Sequence, residues 1–418
     1  MFNHKIYIKL LALIFAFVLI FSSACFAGDS IYVWSTETKP INDTVETNAN
    51  ATETKETATT NNLNLDCGSA ILIEQHSGQV LYEQNMHEKL RPASVTKIMS
   101  ILLIIEAIDS GRLSYTDKVP CTENAASMGG SQIWLDVREE LTVDEMLKAI
   151  CIVSANDCTV AMAEYLAGSQ EAFVEQMNAK AKELGMSDTT FKNCHGIDED
   201  GHVTSAYDIA LMSRELLNNH PDITKYTTVY MDSLRDGKSS LVNTNKLIRN
   251  YKGATGLKTG STSVALYNLS SSATRDDLSL IAVIMKAPTS AIRFSNAQKL
   301  LDYGFNNFQY KKLASKGDTL KSVSVNKGIE TTVNGILEND SGVLVQKGQD
   351  KNIQQVMELP EILQAPITQG QAIGSITYTL DGKEIEKVNI VAEKTIEKNS
   401  AFNMLEEIYT KWFSLLRT

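Results

Sequence analysis

Two stretches near the start of the folded region show opposite hydrophobic patterns. Residues 67–85 contain two strand-like apolar runs on either side of Ser77-Gly78, which predicts a β-hairpin. Residues 93–109 are apolar on nearly every side, and glycine follows at position 111. A helix of this composition is typical of a domain interior, so we expect it to be buried.

The pattern over the next two hundred residues indicates the fold class. Helical spacing continues to about residue 220, strand-like runs return between 253 and 287, and a last helix is expected from about Ala291 to Tyr303. Strands at both ends with helices between them predict an α/β (α+β) domain over 63–305, with helices packed on a sheet.

Short alternating runs separated by glycine and aspartate begin at about residue 306. They predict a small all-β domain over 306–395, in which Asp381-Gly382 is a strong hairpin signal. The tail, 396–418, has apolar residues on one helical face and charges elsewhere, so an amphipathic helix is expected. Its apolar face fits peripheral contact with a membrane or docking on the β domain equally well.

The N-terminal segment has the pattern of an export signal. Lys5 and Lys9 precede an apolar run, and small residues follow up to Ala27, which predicts a signal peptide over 1–27. A retained membrane anchor is the alternative, because the run is nearly long enough to span a bilayer. Residues 28–62 are rich in threonine, asparagine and glutamate and are expected to form a disordered linker. The remainder of the chain is then extracytoplasmic, secreted or peripherally attached to the membrane.

Composition narrows the choice of partners. A net charge of −11 and the absence of a basic stripe argue against nucleic acid. Five cysteines follow the predicted signal, at spacings that suit neither a zinc site nor a redox pair, and several lie in apolar segments. We expect them to be buried small side chains, with no metal and no cofactor.

The buried helix carries two polar residues near its start, Ser94 and Lys97. A helix cap and a surface lysine would explain them, and the same Ser-x-x-Lys spacing recurs at Ser324–Lys327 in the β domain. In an apolar setting, however, burial favours the neutral amine of a lysine. Such an amine, three residues along one helical face, is able to take the proton of a serine hydroxyl and make it a nucleophile.

Two further segments strengthen the nucleophile interpretation. Ser154 and Asn156 interrupt an apolar helical pattern with groups that need partners. Lys258 and Thr259 lie in a strand-like run followed by Gly260, and a glycine there lets a backbone or ligand approach closely. A helix junction and a surface strand are the simpler explanations of these two segments.

The three motifs in this order resemble those of the penicillin-recognising serine enzymes. The sequence between them, over about 65–305, resembles the low-molecular-mass penicillin-binding proteins that act as D-alanyl-D-alanine carboxypeptidases, with a β-lactamase/transpeptidase-like fold. The resemblance implies Ser94 as nucleophile, Lys97 as general base, Ser154 as proton relay and Asn156 as a holder of Lys97 and the substrate amide. It further implies substrate binding by Lys258, Thr259 and Gly260, the first two holding the terminal carboxylate. An oxyanion hole from the N–H groups of Ser94 and Ser261 is implied as well, with added charge from Arg293 unless that arginine is a surface residue.

The implied reaction is removal of the terminal D-alanine from peptidoglycan stem peptides, with β-lactams as covalent inhibitors. A D,D-endopeptidase, a serine β-lactamase and a non-catalytic envelope-binding protein are the alternatives. His195 and His202 are expected to be structural or surface residues. The segment from His195 to Asp198 is expected to lie away from the chemistry.

Overall fold

The computed structural model describes residues 63–400 together with Tyr409 and Trp412. A helical region follows the first hairpin, as its spacing predicted. The helices in the described part of the chain are α1 Lys97–Asp109, α2 Glu123–Ala126, α3 Val143–Ile152, α4 Asn156–Ala167, α5 Gln170–Glu183, α6 Ala206–Asn219, α7 Thr224–Thr227, α8 Leu247–Asn250 and α9 Ser290–Asn307. Short 3₁₀ turns cover Ala93–Thr96, Pro221–Ile223 and Asp350–Asn352.

A five-stranded antiparallel sheet forms the centre of the first domain. Its order is β2-β1-β9-β8-β7, so the first hairpin pairs with strands more than 180 residues later and β7 is left as an edge. Two small two-stranded sheets, β3-β4 and β5-β6, lie outside it. The strand bounds are β1 Ser69–Glu74, β2 Val80–Gln84, β3 Lys118–Pro120, β4 Glu140–Thr142, β5 Met231–Leu234, β6 Ser239–Val242, β7 Ala254–Thr262, β8 Leu266–Arg275 and β9 Leu278–Ala287.

Both faces of the sheet are covered, which explains the continuous apolar run of β9. Ile281 and Val283 pack into the large helical core on one face, while Leu280 and Ala282 pack with α9 on the other. Alternate residues of a strand point to opposite faces, so one strand contributes to two cores. Helix α9 is longer than the sequence indicated, and the Thr289 side chain caps its first turn.

Helix α1 lies inside the helical core, as its apolar surface predicted. Ten of its thirteen residues are buried, among them Lys97. The predicted helix over 93–109 begins with the 3₁₀ turn Ala93–Thr96, and the α-helix starts only at Lys97. The nucleophile candidate therefore lies on a tight turn that leads into the buried helix.

The C-terminal part is β-rich. A six-stranded sheet in the order β14-β16-β17-β12-β11-β15 and a β10-β13 pair enclose a separate apolar core. Asp381 and Gly382 both have positive φ between β16 and β17, which is the hairpin the sequence predicted. The strands are β10 Phe308–Ala314, β11 Thr319–Asn326, β12 Thr332–Leu337, β13 Ser341–Gln346, β14 Ile353–Glu358, β15 Ile362–Gln364, β16 Ala372–Leu380 and β17 Lys383–Ala392.

The β-rich region continues past the expected boundary at residue 395. Ile396 exchanges backbone hydrogen bonds with Ile367, and the Asn399 amide donates to the Lys327 carbonyl. These pairs hold residues 396–399 in the β region rather than in a helix. Tyr409 and Trp412 are helical and exposed, and the rest of the predicted tail helix lies outside the described residues. The predicted signal peptide and linker over 1–62 also lie outside them.

We predict that Leu102→Ala lowers the free energy of unfolding by about 2–5 kcal/mol, because Leu102 is fully buried in the helical core and truncation leaves a cavity. Denaturant unfolding measures the change. Val264→Ala is the matched control, since Val264 is exposed, and it is expected to change stability by less than about 0.5 kcal/mol. Equal losses in the two variants would contradict the placement of α1 in the core.

Candidate active site

Ser94 lies on the turn that precedes α1 and is only partly buried, while Val95 next to it is fully buried. Ala93, just before it, has a φ of 49°, a conformation that is unfavourable for a residue with a Cβ. The side-chain amide of Asn268 on β8 donates to the carbonyls of Arg91 and Pro92, at 2.8 and 3.0 Å. The sheet thus holds the strained turn that keeps the Ser94 hydroxyl accessible.

Lys97 is fully buried and has three oxygen neighbours. Its Nζ lies 2.5 Å from Asn156 Oδ1, 2.6 Å from the His195 carbonyl oxygen and 3.1 Å from Ser94 Oγ. The first two oxygens only accept hydrogen bonds, whereas the serine hydroxyl is able to donate. A neutral amine has two N–H groups and one lone pair. The two N–H groups match the two oxygens that only accept, and the lone pair then faces Ser94.

The surroundings of Lys97 favour the neutral amine. Burial is the main cause that lowers the Lys97 pKa well below its ordinary value, and the positive charge of Lys258 lowers it further. An ammonium group in this place would lose its hydration without a carboxylate partner in contact. Lys97 is therefore able to accept the Ser94 proton near neutral pH.

Ser154 and Asn156 lie on the opposite wall, where α3 ends at Ile152 and α4 begins at Asn156. Ser154 has a φ of 66°, and its hydroxyl is buried with no hydrogen-bond partner among the described residues. Asn156 is tied down by its side-chain amide, which donates to the Gly129 carbonyl at 2.7 Å. The polar break in the helical pattern thus becomes the second wall of the site.

Strand β7 supplies the third side. The Lys258 Nζ is buried and donates to the Thr259 carbonyl at 2.9 Å, and burial lowers the pKa of Lys258 to about 7. The Thr259 hydroxyl donates to the Thr244 hydroxyl at 2.8 Å. A Cβ on Gly260 would lie 2.8 Å from the Ser94 nitrogen, so only glycine allows β7 to approach the turn this closely. Ser261, the next residue, is exposed.

Arg293 is not a surface residue, and that alternative is wrong. Its side chain is 6% exposed on the first turn of α9, and it donates to the carbonyls of Gly260 and Asn268 at 3.3 and 3.1 Å. Burial lowers its pKa to about 10. The guanidinium thus contacts the backbone of the strand that carries Lys258 and Thr259. By contrast, Ser324 and Lys327 of the second Ser-x-x-Lys are exposed in the β domain.

His195 and His202 are buried rather than on the surface, and burial lowers their pKa values to about 3 and about 4. His202 accepts from the Lys192 amide through Nδ1, so its Nε2–H donates to Thr96 Oγ1, and Thr96 donates to the Ala93 carbonyl. The neutral ring of His202 thereby braces the turn that carries Ser94.

The segment from His195 was expected to lie away from the chemistry, and this is wrong for its backbone. The His195 carbonyl contacts Lys97 Nζ. Gly196 has a φ of 91°, and a Cβ there would lie 1.9 Å from the Ala93 carbonyl oxygen. The one sequence signal for this contact is the His-Gly pair itself, because side-chain reasoning does not detect a functional carbonyl.

The cysteines among the described residues are all unpaired. Cys121, Cys151, Cys158 and Cys194 are buried, as expected, and Cys67 is partly buried. Burial is the main cause of the raised pKa of each of these thiols. Because a raised pKa keeps a thiol protonated, these cysteines are unreactive.

The geometry agrees with the comparisons with known proteins. The D-alanyl-D-alanine carboxypeptidase family of S11 peptidases matches residues 54–289, which is more than half of the chain. The chain belongs to this family. The C-terminal domain family of penicillin-binding protein 5 matches residues 308–398.

Relatives extend the match over most of the chain. D-alanyl-D-alanine carboxypeptidase DacF of Bacillus subtilis is 43% identical over 357 residues, covering 84% of this chain and 92% of its own. DacC of Escherichia coli is 34% identical, with 84% and 90% covered. The crystal structure of penicillin-binding protein 5 from Haemophilus influenzae matches with a TM-score of 0.69 at 31% identity, covering 80% of this chain and 98% of that one.

We predict that the free energy of unfolding falls as pH drops below about 6.5, the ordinary histidine pKa. The pKa of His202 is lowered in the folded state to about 4, so the unfolded chain takes up the proton first. The stability that His202 contributes is present above pH 6.5 and is lost progressively towards pH 4, by up to about 2 kcal/mol between pH 6.5 and 5. His195, whose pKa is lowered to about 3, adds a loss of the same sign.

His202→Gln is expected to reduce this dependence by about half, because glutamine keeps one acceptor and one donor but does not titrate, while His195 still contributes. Chemical unfolding at pH 7.5 and pH 5.0 measures both slopes. His87→Gln is the control, because His87 is a more exposed histidine. An unchanged slope in His202→Gln would contradict the assigned role of the neutral ring.

Proposed function

We propose that the chain is a serine D,D-carboxypeptidase that removes the terminal D-alanine of peptidoglycan stem peptides through an acyl-enzyme on Ser94. Family membership supports the reaction, and the buried Lys97 Nζ at 3.1 Å from the Ser94 hydroxyl is the observation that carries the mechanism. The other residues of the site bind and position the substrate that Ser94 attacks.

Acylation begins at Ser94. As its Oγ bonds to the carbonyl carbon of the penultimate D-alanine, Lys97 takes the hydroxyl proton. The developing oxyanion accepts hydrogen bonds from the N–H groups of Ser94 and Ser261, each of which is worth on the order of 3 kcal/mol in such a site. The close approach of β7 to the turn, permitted by Gly260, supports this pairing.

Breakdown of the tetrahedral species breaks the C–N bond, and the leaving D-alanine nitrogen receives a proton from Lys97 by way of Ser154. The buried and otherwise unbonded Ser154 hydroxyl supports this relay. Asn156 keeps Lys97 in place through Oδ1, and the N–H of its side-chain amide that is not donated to the Gly129 carbonyl holds the substrate amide. Water then hydrolyses the ester with Lys97 as base.

Strand β7 binds the end of the peptide. It is the edge of the five-stranded sheet and has no neighbouring strand on one side, where an extended peptide is able to add. The Lys258 ammonium and the Thr259 hydroxyl bind the terminal carboxylate, and Arg293 adds positive charge from behind the strand. This requirement for a free carboxylate favours cleavage of the last residue over cleavage within a cross-link.

β-Lactams acylate Ser94 in the same way. A solved relative supports this, since penicillin-binding protein D2 of Listeria monocytogenes is described in an ampicillin-bound form. That structure matches at 31% identity with a TM-score of 0.54 and covers 58% of this chain and 99% of its own. Rapid β-lactam turnover would instead favour a β-lactamase.

We propose that the chain acts outside the cytoplasm, where the substrate of this reaction lies, and the signal peptide predicted over 1–27 supports this location. No helix in the part of the chain that the structure describes is long and apolar enough to cross a membrane. Peripheral contact through residues 396–418 stays a prediction.

We predict that a fluorescent penicillin labels the wild-type chain covalently and that Ser94→Ala abolishes the label, because the acyl ester forms on Ser94 Oγ. Denaturing electrophoresis detects it. Ser324→Ala is the matched control from the second Ser-x-x-Lys and is expected to label normally. Release of D-alanine from a pentapeptide should fall by a factor on the order of a thousand or more in Ser94→Ala.

A label that survives in Ser94→Ala would refute the assigned nucleophile. If the β-lactam were turned over faster than the pentapeptide, the function would be that of a β-lactamase and not that of a carboxypeptidase.

We predict that kcat/KM for the pentapeptide declines above about pH 7. The pKa of Lys258 in the free enzyme is lowered to about 7, so Lys258 loses its charge as pH rises through this value and binds the substrate carboxylate less well. Lys258→Arg keeps the charge and should remove the alkaline decline, although its rates are lower. If kcat/KM of Lys258→Arg declined over the same pH range, the decline would have to come from the titration of another group.

A further inference from the structure

The loop over 129–139 is attached to the wall of the site that carries Asn156. The Asn156 backbone amide donates to the Ser131 carbonyl at 2.7 Å, and its side-chain amide donates to the Gly129 carbonyl at the same distance. A Cβ on Gly130 would lie 2.9 Å from Asn156 Nδ2. One side chain therefore contacts both Lys97 and the start of this loop.

One buried and one partly buried polar side chain fix the middle of the loop. The Asp157 carboxylate is fully buried and accepts from the amides of Ile133 and Leu135, both at 3.1 Å. Arg235 donates to the carbonyls of Ile133 and Trp134, at 2.8 and 3.2 Å, and Glu139 binds the same guanidinium at 2.6 Å. The backbone on both sides of Trp134 is thus held from below.

Trp134, the residue held in this way, has a side chain that is unfavourable for its backbone conformation. Trp134 has a φ of 60°, where glycine or asparagine is ordinarily found, and its side chain is 75% exposed. Ile133 and Leu135 on either side are buried. A large apolar ring that is both strained and exposed does not stabilise the free protein, and strain of this kind is concentrated at functional sites.

The proposed binding mode directs one part of the substrate towards this loop. With the terminal carboxylate at Lys258 and Thr259 and the scissile carbonyl at Ser94, the leaving residue occupies the β7 side. The acyl part of the bound peptide must then extend past the opposite wall of the site, which carries Ser154, Asn156 and the attached loop. An aliphatic peptide segment that covers the exposed indole buries apolar surface from both partners.

We propose that Trp134 is a specificity-determining residue that packs against the stem-peptide residues preceding the D-Ala-D-Ala end. The inference rests on the proposed function, which it deepens by assigning the acyl side of the substrate to this loop. The fold holds the backbone of Trp134 in place before the substrate arrives, so little backbone freedom is lost on binding.

The test compares two substrates that release D-alanine, a sugar-free stem pentapeptide and an N-acetylated D-Ala-D-Ala dipeptide that ends before the loop. In Trp134→Ala the ratio of kcat/KM for the pentapeptide to kcat/KM for the dipeptide should fall by about tenfold. Trp134→Phe should retain most of the ratio. Val137→Ala, from an exposed apolar residue of the same loop, is the matched control and should leave it as in the wild type.

Trp134→Gly separates recognition from stability. Glycine adopts the positive φ without strain, so the thermal midpoint should not fall, while the substrate ratio falls as in Trp134→Ala. A lower midpoint together with an unchanged ratio would assign Trp134 a structural role and overturn the inference.

Three further results would also overturn it. If Trp134→Ala leaves the ratio unchanged while the wild type cleaves both substrates, the inference about Trp134 is refuted and the proposed carboxypeptidase function stands. A loss seen only with a disaccharide-linked pentapeptide assigns the indole to the glycan instead. Failure of the wild type to release D-alanine from either substrate refutes the proposed function, and this inference falls with it.

Discussion

The desolvation of a single lysine amine is the constraint on which the site depends. Lys97 begins the helix that passes through the largest apolar core, so its side chain has no access to water. Two oxygens that cannot donate, from Asn156 and His195, take its N–H groups and leave a lone pair for Ser94. Packing in the core thereby favours Lys97 as the proposed base, and among the described residues no histidine or carboxylate contacts the Ser94 hydroxyl.

The same constraint explains why the site is assembled from distant parts of the chain. The proposed base needs the core helix, and its acceptors come from the start of α4 and from the segment at His195. The proposed nucleophile needs a turn outside the core. The sheet braces that turn through Asn268, and β7 closes against it at Gly260. Each element contributes a backbone group or one side chain, and none forms the site alone.

Much of this was predictable from the sequence because it depends on pattern. The first hairpin, the buried α1, the strands around Lys258 and the hairpin at Asp381-Gly382 follow from hydrophobic period and turn chemistry. Residue types and order were sufficient to select Ser94 and Lys97 as a pair. The buried state of Arg293 was not predictable, because its first-turn position on α9 is typical of a surface residue and only the packed fold covers it. The role of the His195 carbonyl was hidden for another reason, since every residue has a carbonyl and only its position is special.

The ionisation state of Lys97 tests the central claim most directly. The Nζ resonance of Lys97 in protein labelled with ¹⁵N at the lysine side chains, identified by its absence in Lys97→Met, reports whether the group is an amine or an ammonium as pH is varied. We predict a neutral amine at pH 7, with the transition well below the ordinary lysine pKa. An ammonium that persists through pH 8 would contradict the account, because Ser94 would then have no base.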